Sequence, residues 1–398
     1  MRSRCRGSAS STCATDGDAR SVSARPAAFG ATPRRKVTLV ERLEPVYGSA
    51  GLVRVLSVLA VAAGAAALVV ASVGARPIDA TGTKLSSRVA IFFYPWYGTP
   101  ARDGSYEHWA QHGAAPPVEI ASSFYPARGV YSSTDPNVLR SQMSDIAGAH
   151  VGVVIVSWWG AESPEDARLP AVAAAARSFG IRVAIHIEPY KGRTPATVAA
   201  DVARLRGLGI TDFYVYGSSS DPDGDWATVN LSLRGVRLFA NTALPGKAAA
   251  AGFAGVYTYD VYEYDGSSFP RVCESARSLH LLCAPSVGPG YDARALGDPR
   301  IRPRADGITY DGMWRSAIRA RADLVTITSY NEWHEGTQIE PSAGAGVRYV
   351  SYDGSWGLVG KAAQRAYLDR TALWVGRYVT KVLAPPASVC RPTCRVAR

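Results

Sequence analysis

The feature that most constrains the fold is a repeated alternation of apolar runs and helix-forming segments along the chain. Each apolar run is rich in β-branched and aromatic residues, and most runs are continuously apolar rather than alternating with polar residues. Continuous runs indicate β-strands that are buried on both faces, as in a parallel sheet. The predicted strands are residues 89–94, 151–158, 182–187, 212–216, 235–240, 253–258, 280–285 and 322–328.

Helices are predicted in the gaps between these runs. Pro136, Pro164 and Pro195 each follow an Asp, Ser or Thr, an arrangement that caps and opens a helix. The predicted helices are residues 136–149, 164–180, 195–209, 267–279 and 312–322, with weak support in the short segments 225–233 and 245–251. This alternation predicts an α/β fold of the (β/α)8 TIM-barrel class. A doubly wound open sheet is the alternative, but no glycine-rich phosphate-binding turn follows the first strand.

An uncharged stretch rich in Val, Leu and Ala covers residues 55–75 and is long enough to cross a bilayer at about 1.5 Å per residue. It predicts a transmembrane anchor or the hydrophobic region of an export signal, and the Val-Gly-Ala at 73–75 resembles a cleavage site. No polar face interrupts the stretch, which disfavours a buried core helix. Basic residues before it predict a cytoplasmic N-terminus. The chain is therefore expected to be extracytoplasmic, either anchored by a single pass or secreted, with the membrane as a partner if the stretch is uncleaved.

The remaining chain divides by composition into four predicted parts. They are a disordered basic region (1–54), a linker (76–88), the barrel (89–380) and a C-terminal tail (381–398). The net charge of +11 arises mainly outside the barrel, since residues 1–54 contain ten Lys/Arg and only four Asp/Glu. A nearly neutral barrel disfavours nucleic acid as a partner.

Six cysteines suit an exported chain. Cys273 with Cys283, and Cys390 with Cys394, are plausible disulfide pairs, whereas the cysteines at 5 and 13 precede the apolar stretch and are expected to stay reduced. No CxxC pair occurs, which disfavours a metal site built on cysteines.

Two carboxylates, Glu332 and Glu335, follow the last predicted strand. Hydrolysis of a glycosidic bond needs such a pair, because one acid manages the proton of the leaving oxygen while the other acts on the opposite flank. The alternative is a pair of loop carboxylates held by arginines. Positions three apart on a strand point to opposite sides, so both acids can face one cavity only if the chain leaves the strand after Glu332. Gly336 makes such a turn easy.

Aromatic residues also cluster where the predicted strands end, which is the end of a barrel that carries the chemistry. Any one of these rings could be core packing, but their repetition predicts a carbohydrate cleft, because aromatic rings stack on sugar faces. Glu188 follows a strand and must find a partner or a ligand. His186 has the position of a core or supporting histidine rather than a catalyst, and His334 lacks any surrounding metal-binding pattern. Both histidines are candidate sugar-binding residues, because imidazoles can bond sugar hydroxyls. The aromatic candidates are Tyr94, Trp96, Trp159, Tyr216, Tyr259 and Tyr291.

Several segments, taken in order, resemble glycoside hydrolase family 99, the endo-α-1,2-mannosidases and endo-α-1,2-mannanases. The resemblance covers about residues 89–342 and rests on FFYPWYGTP, SSFYPARGVYSSTDP, HIEPY, DFYVYGS, PSVGPGY and SYNEWHEGTQIEP. It implies a (β/α)8 barrel that uses no cofactor or metal and cleaves α-1,2-mannosidic bonds inside a glycan with retention of configuration. It also implies sugar-binding roles for Tyr94, Trp159, Glu188, Tyr291, Arg304, Tyr310 and Asn331.

By the same resemblance, Glu335 would be the acid that protonates the leaving oxygen and later the base that activates water. Glu332 would deprotonate the 2-hydroxyl of the substrate, which would attack the anomeric carbon and form a 1,2-anhydro sugar. The sequence departs from the animal enzymes in a shorter stretch between Tyr190 and Asp212 and in the Trp at 159. The second departure favours a mannan over a glucosylated glycan as the substrate.

Two other functions remain to be weighed against hydrolysis. A related barrel could bind glycans or serve polysaccharide assembly without cleaving them, although Glu332 and Glu335 count against this. An inert barrel in a structural membrane protein would not need so many polar and aromatic residues at its strand ends.

Overall fold

The computed structural model describes residues 85–383, apart from Ala345 and Val347. The predictions for residues 1–54 and 55–75, and for the Cys390–Cys394 pair, therefore lie outside the described residues. None of the helices in the described part of the chain is both long and apolar enough to cross a bilayer.

Eight parallel strands form a closed barrel, which confirms the predicted fold class. The first strand pairs with the second and with the last, through Ala90 beside Val153 and Ile91 beside Ile327. The barrel strands are β1 Ser86–Phe93, β2 Val151–Trp158, β3 Arg182–Ile187, β4 Asp212–Val215, β5 Arg237–Asn241, β6 Gly255–Thr258, β7 Leu282–Val287 and β8 Val325–Ile327. All eight predicted runs are strands, although β1 begins at Ser86, inside the segment that was predicted to be a linker.

At least one helix follows each barrel strand, and the two weakly supported helices are also present. Asp135, Ser163 and Thr194 cap the first three helices by accepting hydrogen bonds from backbone N–H groups, as their positions predicted. The barrel helices are α1 Pro136–Gly148, α2 Pro164–Ser178, α3 Pro195–Arg206, α4 Asp223–Ser232, α5 Pro245–Ala250, α6 Phe269–Ser278, α7 Ile308–Arg319 and α8 Ala366–Tyr378. Two short helices, Pro100–Asp103 and Gly360–Gln364, lie in the connections after β1 and β8. A disulfide joins Cys273 on α6 to Cys283 on β7, which confirms that predicted pair.

Alternating strand residues enter two separate cores, which explains why the runs are continuously apolar. In β1, Val89, Ile91 and Phe93 pack outward against the helices, whereas Ala90 and Phe92 pack inside the barrel. The ring of Phe92 lies 4.7 Å from the His186 ring, between ring centroids, at the centre of the inner core. The candidate residues lie beyond Phe92, at the carboxyl ends of the strands.

Candidate active site

Glu332 and Glu335 lie on a loop that follows β8, with a turn at Trp333–Gly336. The strand ends at Ile327, so the strand geometry that would point the two acids apart no longer applies. Gly336 has a φ of +62°, and a Cβ atom there would lie 2.8 Å from the backbone oxygen of Asp292. The turn that the glycine was predicted to allow is therefore present, and it requires glycine for conformation and for space.

The loop is fastened to the end of β1 by an amide. The side-chain oxygen of Asn331 accepts from the backbone N–H of Tyr94 at 2.8 Å, and its Nδ2 donates to the carbonyl of Tyr94 at 2.9 Å. The hydroxyl of Tyr97 donates to the Asn331 carbonyl at 3.0 Å and accepts from the Trp333 N–H at 3.1 Å. Asn331 is fully buried, and both ends of its amide bond the Tyr94 backbone, so it positions the acid loop. The sugar-binding role that the resemblance implied for it stays a prediction.

The far side of the loop is fastened by Arg304. Its Nη2 donates to the carbonyl oxygens of Gly336 and Gln338 at 2.9 and 2.7 Å. The guanidinium also lies 4.6 Å from the ring centroids of both Tyr352 and Tyr367. Arg304 therefore supports the acid loop from below through carbonyl and cation–π contacts. The contact between Arg304 and a sugar that the resemblance implies stays a prediction.

Tyr310 lies on α7, outside the barrel, and is fully buried. Its hydroxyl is 2.8 Å from Thr371 Oγ1, and its ring packs against Tyr367. A sugar cannot reach a side chain enclosed between two outer helices, so the sugar-binding role predicted for Tyr310 is corrected to core packing.

A buried acid that the sequence reasoning did not single out, Glu340, supports the same loop. Its Oε2 accepts from Trp333 Nε1 at 2.9 Å, and its Oε1 lies 2.8 Å from Arg128 Nε. Glu340 ends the same 14-residue segment that contains the two candidate acids, at residues 327–340. A carboxylate directly after an apolar residue was the available sequence signal for a buried acid. Its partner Arg128 lies more than 200 residues away in sequence, so the ion pair itself could not be predicted. Glu340 thus holds Trp333 between the two candidate acids.

The environment of Glu332 and Glu335 favours one shared proton. Burial, followed by the charges of Asp260 and Glu188, raises the pKa of Glu335 to about 8. Burial, followed by the charge of Glu335, raises the pKa of Glu332 well above its usual range. The Glu332 carboxylate accepts from the backbone N–H of His334 at 3.1 Å, and such a bond stabilises the ionised form. Both pKa values are raised, so burial and mutual repulsion favour retention of a proton by this pair of acids near neutral pH.

A chain of hydroxyl groups connects the β1 and β6 ends to Glu335. The hydroxyl of Tyr94 is hydrogen-bonded to that of Tyr259, which donates to Glu335 Oε2 at 3.4 Å. Burial, followed by the charges of Glu188, Glu332 and Glu335, raises the pKa of Tyr94 well above 10. Three carboxylates therefore converge on the Tyr94 hydroxyl, which stays protonated.

Glu188 and His186 form the third group of polar side chains beneath this hydroxyl chain. Glu188 Oε1 accepts from Ser157 Oγ at 2.8 Å and lies 2.9 Å from His186 Nδ1. His186 Nε2 lies 2.9 Å from the hydroxyl of Tyr257. His186 is almost fully buried, so its position is that of a core or supporting histidine.

Asp260 is a further acid at the site that sequence reasoning missed. It follows Tyr259 directly at the end of β6, and its Oδ1 accepts from the Tyr216 hydroxyl at 3.1 Å. Burial raises the pKa of Asp260 above its usual range. A carboxylate just after an apolar strand was the available sequence signal for Asp260, because Glu188 was selected on that ground.

Aromatic side chains line the space around the acids. Trp96 stacks on His108 with 4.4 Å between ring centroids, and Trp159 at the end of β2 is 38% exposed. Tyr291 is half-buried, and its hydroxyl donates to Asp298 Oδ2 at 2.8 Å. These rings lie at the carboxyl ends of the barrel strands or in the loops that follow them, and their stacking on sugars stays a prediction.

His334 contributes a neutral ring to this wall. Its Nδ1 lies 2.8 Å from the carbonyl oxygen of Ala121, so Nδ1 carries the hydrogen and Nε2 is an acceptor. Burial lowers the pKa of His334 to about 4. Within the described residues, no cluster of three or more His, Cys, Asp or Glu side chains could hold a metal ion.

Comparison with known proteins identifies the family to which this barrel belongs. Residues 84–380 match the model of glycosyl hydrolase family 99. The chain is 34% identical to a zebrafish (Danio rerio) glycoprotein endo-alpha-1,2-mannosidase-like protein, over 63% of the chain and 70% of that relative. It is 32% identical to a Xenopus laevis glycoprotein endo-alpha-1,2-mannosidase, over 73% of the chain and 76% of that relative.

A solved structure agrees with the sequence comparison. The GH99 endo-alpha-mannosidase from Bacteroides thetaiotaomicron superposes with a TM-score of 0.68 at 29% identity, covering 75% of this chain and 99% of that one. The barrel fold, the loop that carries Glu332 and Glu335, and the similarity to these relatives all indicate the same family. The chain belongs to glycosyl hydrolase family 99 and is a glycoside hydrolase.

Proposed function

We propose that this hydrolase cleaves internal α-1,2-mannosidic linkages, in mannan or mannose-rich glycans, with retention of configuration. The observation that carries the proposal is the buried pair of acids on the loop after β8, Glu332 and Glu335, whose pKa values are both raised by burial. We assign the proton to Glu335 and the charge to Glu332. The names of the relatives in mouse, frog and Bacteroides support mannosidic linkages as the target.

In the proposed first step, the Glu332 carboxylate takes the proton of the substrate 2-hydroxyl. The freed oxygen attacks the anomeric carbon as the bond to the leaving oxygen breaks, and Glu335 gives its proton to that oxygen. The product is a 1,2-anhydro sugar. In the second step, Glu335 takes a proton from water, the water oxygen attacks the anomeric carbon, and the anhydro ring opens. Glu332 then returns its proton to the 2-oxygen, and two inversions give overall retention.

The neighbours of the two acids support the roles of Glu335 as the acid and Glu332 as the base. A protonated Glu335 needs a neighbour that can accept or donate, and the Tyr259 hydroxyl at 3.4 Å can do both. A charged Glu332 needs donors, and it receives the His334 backbone N–H. Retaining glycosidases more commonly use a carboxylate as the nucleophile, with formation of a glycosyl-enzyme. The donor-rich position of Glu332 is equally suited to a base.

We further propose that the wall residues bind the glycan. Trp96, Trp159, Tyr216 and Tyr291 would stack on sugar rings, and Glu188 and His334 Nε2 would accept hydrogen bonds from sugar hydroxyls. The exposed Trp at 159 favours a mannan substrate, because Ser-Trp-Trp at 157–159 resembles the bacterial mannanase form rather than the animal enzymes.

The buried disulfide between Cys273 and Cys283 supports an extracytoplasmic location, because such bonds persist in oxidising compartments. Together with the apolar stretch at 55–75, it supports a protein that is exported or anchored with the barrel outside the cytoplasm.

The test is incubation of purified residues 77–398 with α-1,2-linked mannan and with a glycan capped by Glc-α-1,3-Man, followed by identification of the released sugars. Release from mannan alone supports the mannan assignment, and release from the capped glycan alone overturns it. Binding without any release would instead identify a glycan-binding protein.

A 2-deoxy-mannoside analogue tests the mechanism separately. It lacks the hydroxyl that Glu332 would deprotonate, so we expect no cleavage even though the leaving group is unchanged. Cleavage of this analogue, with accumulation of a covalent glycosyl-enzyme, would show that Glu332 is the nucleophile.

A further inference from the structure

The end of the barrel opposite the active site is strongly basic. We define the basal face by the segments in which a helix ends and the next strand begins. Each segment consists of the last two residues of one of the helices α1–α7, the connection that follows, and the first residue of the next strand. Residues 85–88 and 377–383 complete the basal face. These segments contain eleven Lys/Arg and two Asp, although residues 85–383 as a whole are nearly balanced in charge. The positive charge of the barrel is therefore concentrated at one end.

Ordinary structural roles account for part of this charge. Five of the cations lie in the last turn of a helix, where they stabilise the helix dipole. Asp212 is buried and paired, with 2.6 Å to Arg237 and 3.5 Å to Arg182. Neither role applies to Arg88, Arg234 and Arg321, which are exposed.

Backbone conformation supplies an independent observation. Each of the seven helix-to-strand connections places one residue at positive φ, and glycine occupies that position in four of them. The other three hold His150 at 61°, His280 at 59° and Arg321 at 52°. A non-glycine residue is strained there, so the local fold would be better served by glycine. Histidine is comparatively common in this conformation, but an arginine is not, so the presence of Arg321 there despite the strain points to a role outside the fold.

The basal face is also partly apolar. Leu208, Leu279 and Val379 are 56%, 40% and 39% exposed in its connections. A cavity of about 560 Å³ lies between α2 and α3 and is lined by Ile181, Leu208 and Arg182 among others. Exposed leucines beside cations suit the boundary between lipid headgroups and acyl chains. The aromatic residues within these connections are buried or half-buried, so they provide no exposed platform for stacked bases.

The order of the chain favours the same partner. The described chain enters the barrel at the basal face, at Leu85. Nine residues separate Leu85 from Ala75, the end of the apolar stretch that predicts a membrane segment or an export signal.

We propose that the basal face is a docking surface for a bilayer that contains anionic phospholipid, which leaves the active site at the other end of the barrel open to glycans. The cations bind lipid phosphates, and the exposed leucines enter the headgroup layer. This docking does not depend on the proposed hydrolytic reaction, because no residue of the basal face touches the candidate acids.

The test is cosedimentation of residues 77–398 with vesicles of phosphatidylcholine, alone or mixed with phosphatidylglycerol. This fragment omits the apolar stretch, which would bind vesicles by itself. It contains the whole closed barrel, and almost the entire chain of the solved Bacteroides relative corresponds to that barrel. We expect binding to the mixed vesicles only, with release at high salt as the charges are screened. Equal binding to both vesicle types overturns the proposal.

A triple variant, Arg88→Ser, Arg234→Ser and Arg321→Gly, tests the residues. Each cation near an anionic surface contributes about fivefold to the affinity, so we expect a loss of about a hundredfold. The matched control removes three exposed cations elsewhere, Arg140, Arg271 and Lys361, and should bind almost as tightly as the wild type. Equal losses in the two triple variants would overturn the proposal.

Two further measurements separate docking from folding and from catalysis. Arg321→Gly alone relieves the positive φ, so we expect its thermal midpoint to rise while its vesicle affinity falls. Mannan hydrolysis by the triple variant should equal that of the wild type. If the wild type itself does not hydrolyse mannan, only the proposed function is refuted, and the docking proposal is unaffected. Retention on an acidic polysaccharide without binding to phosphatidylglycerol vesicles would overturn the lipid assignment.

Discussion

Gly336→Ala is the most direct test of how the structure positions the acids. The position has a φ of +62°, and an added Cβ would lie 2.8 Å from the Asp292 oxygen and 3.0 Å from its nitrogen. The left-handed conformation costs alanine about 1–2 kcal/mol relative to glycine. Overpacking against backbone atoms, which cannot rotate away, adds about 1–3 kcal/mol. We therefore expect the free energy of unfolding to fall by about 2–5 kcal/mol.

The same substitution should also lower activity. The Glu335 carbonyl accepts from the Asp292 N–H at 2.7 Å, so relief of the clash must shift the residue that carries the proposed acid. A shift near 1 Å in a catalytic group lowers turnover by about a hundredfold. Urea unfolding and mannan hydrolysis measure the two effects.

Gly297→Ala is the matched control, because Gly297 has a φ of +83° with no atom within 4 Å of the added Cβ. It should show the conformational cost of about 1–2 kcal/mol alone, with nearly unchanged turnover. If the two variants unfold with equal free energies and Gly336→Ala retains wild-type turnover, the argument from close packing is wrong.

Three further predictions concern individual side chains. Glu335→Gln should lower turnover by at least about a hundredfold while glycan binding persists in calorimetry; unchanged turnover would remove the acid assignment. Because the folded-state pKa of Glu335 is raised to about 8, the wild type should lose stability as the pH rises from about 4.5 to about 8. Denaturant melts should show the Gln variant more stable than the wild type above pH 8 and equal to it near pH 4, and a constant difference would contradict this. Tyr310→Phe removes one hydrogen bond to Thr371, so it should cost about 1 kcal/mol of stability and leave hydrolysis unchanged; a raised KM would restore the sugar-binding role. Trp159→Ala should raise KM for mannan and change stability by less than about 0.5 kcal/mol, and an unaltered KM would exclude the ring from the subsite.

The strands could be predicted because a strand buried on both faces leaves a local signature. The two weakly supported helices, Asp223–Ser232 and Pro245–Ala250, are short, and a short segment shows too few turns for its periodicity to stand out. Packing of the two helices against the barrel, rather than local helix propensity, stabilises them.

The candidate site was predictable only where a side chain lies next to a strand end. Glu188 and Tyr259 met that rule, and Asp260 would have met it too. Arg304 and Asn331 were assigned to the sugar by resemblance, yet the structure shows them bonded to backbone groups. The Asn331 contact spans 237 residues, and no local pattern reveals which distant group an amide will meet.

That same Asn331 clamp has a consequence for when the enzyme becomes active during its synthesis. It joins the first barrel strand to the loop after the last, so the two acids reach their places only when the ring of strands is complete. A nascent chain that stops short of residue 331 has neither the clamp nor the two acids, and one that stops short of residue 340 lacks the buried support of Glu340. Glycan cleavage is therefore a direct report that the whole barrel has closed, and no partly made chain can act on a glycan prematurely.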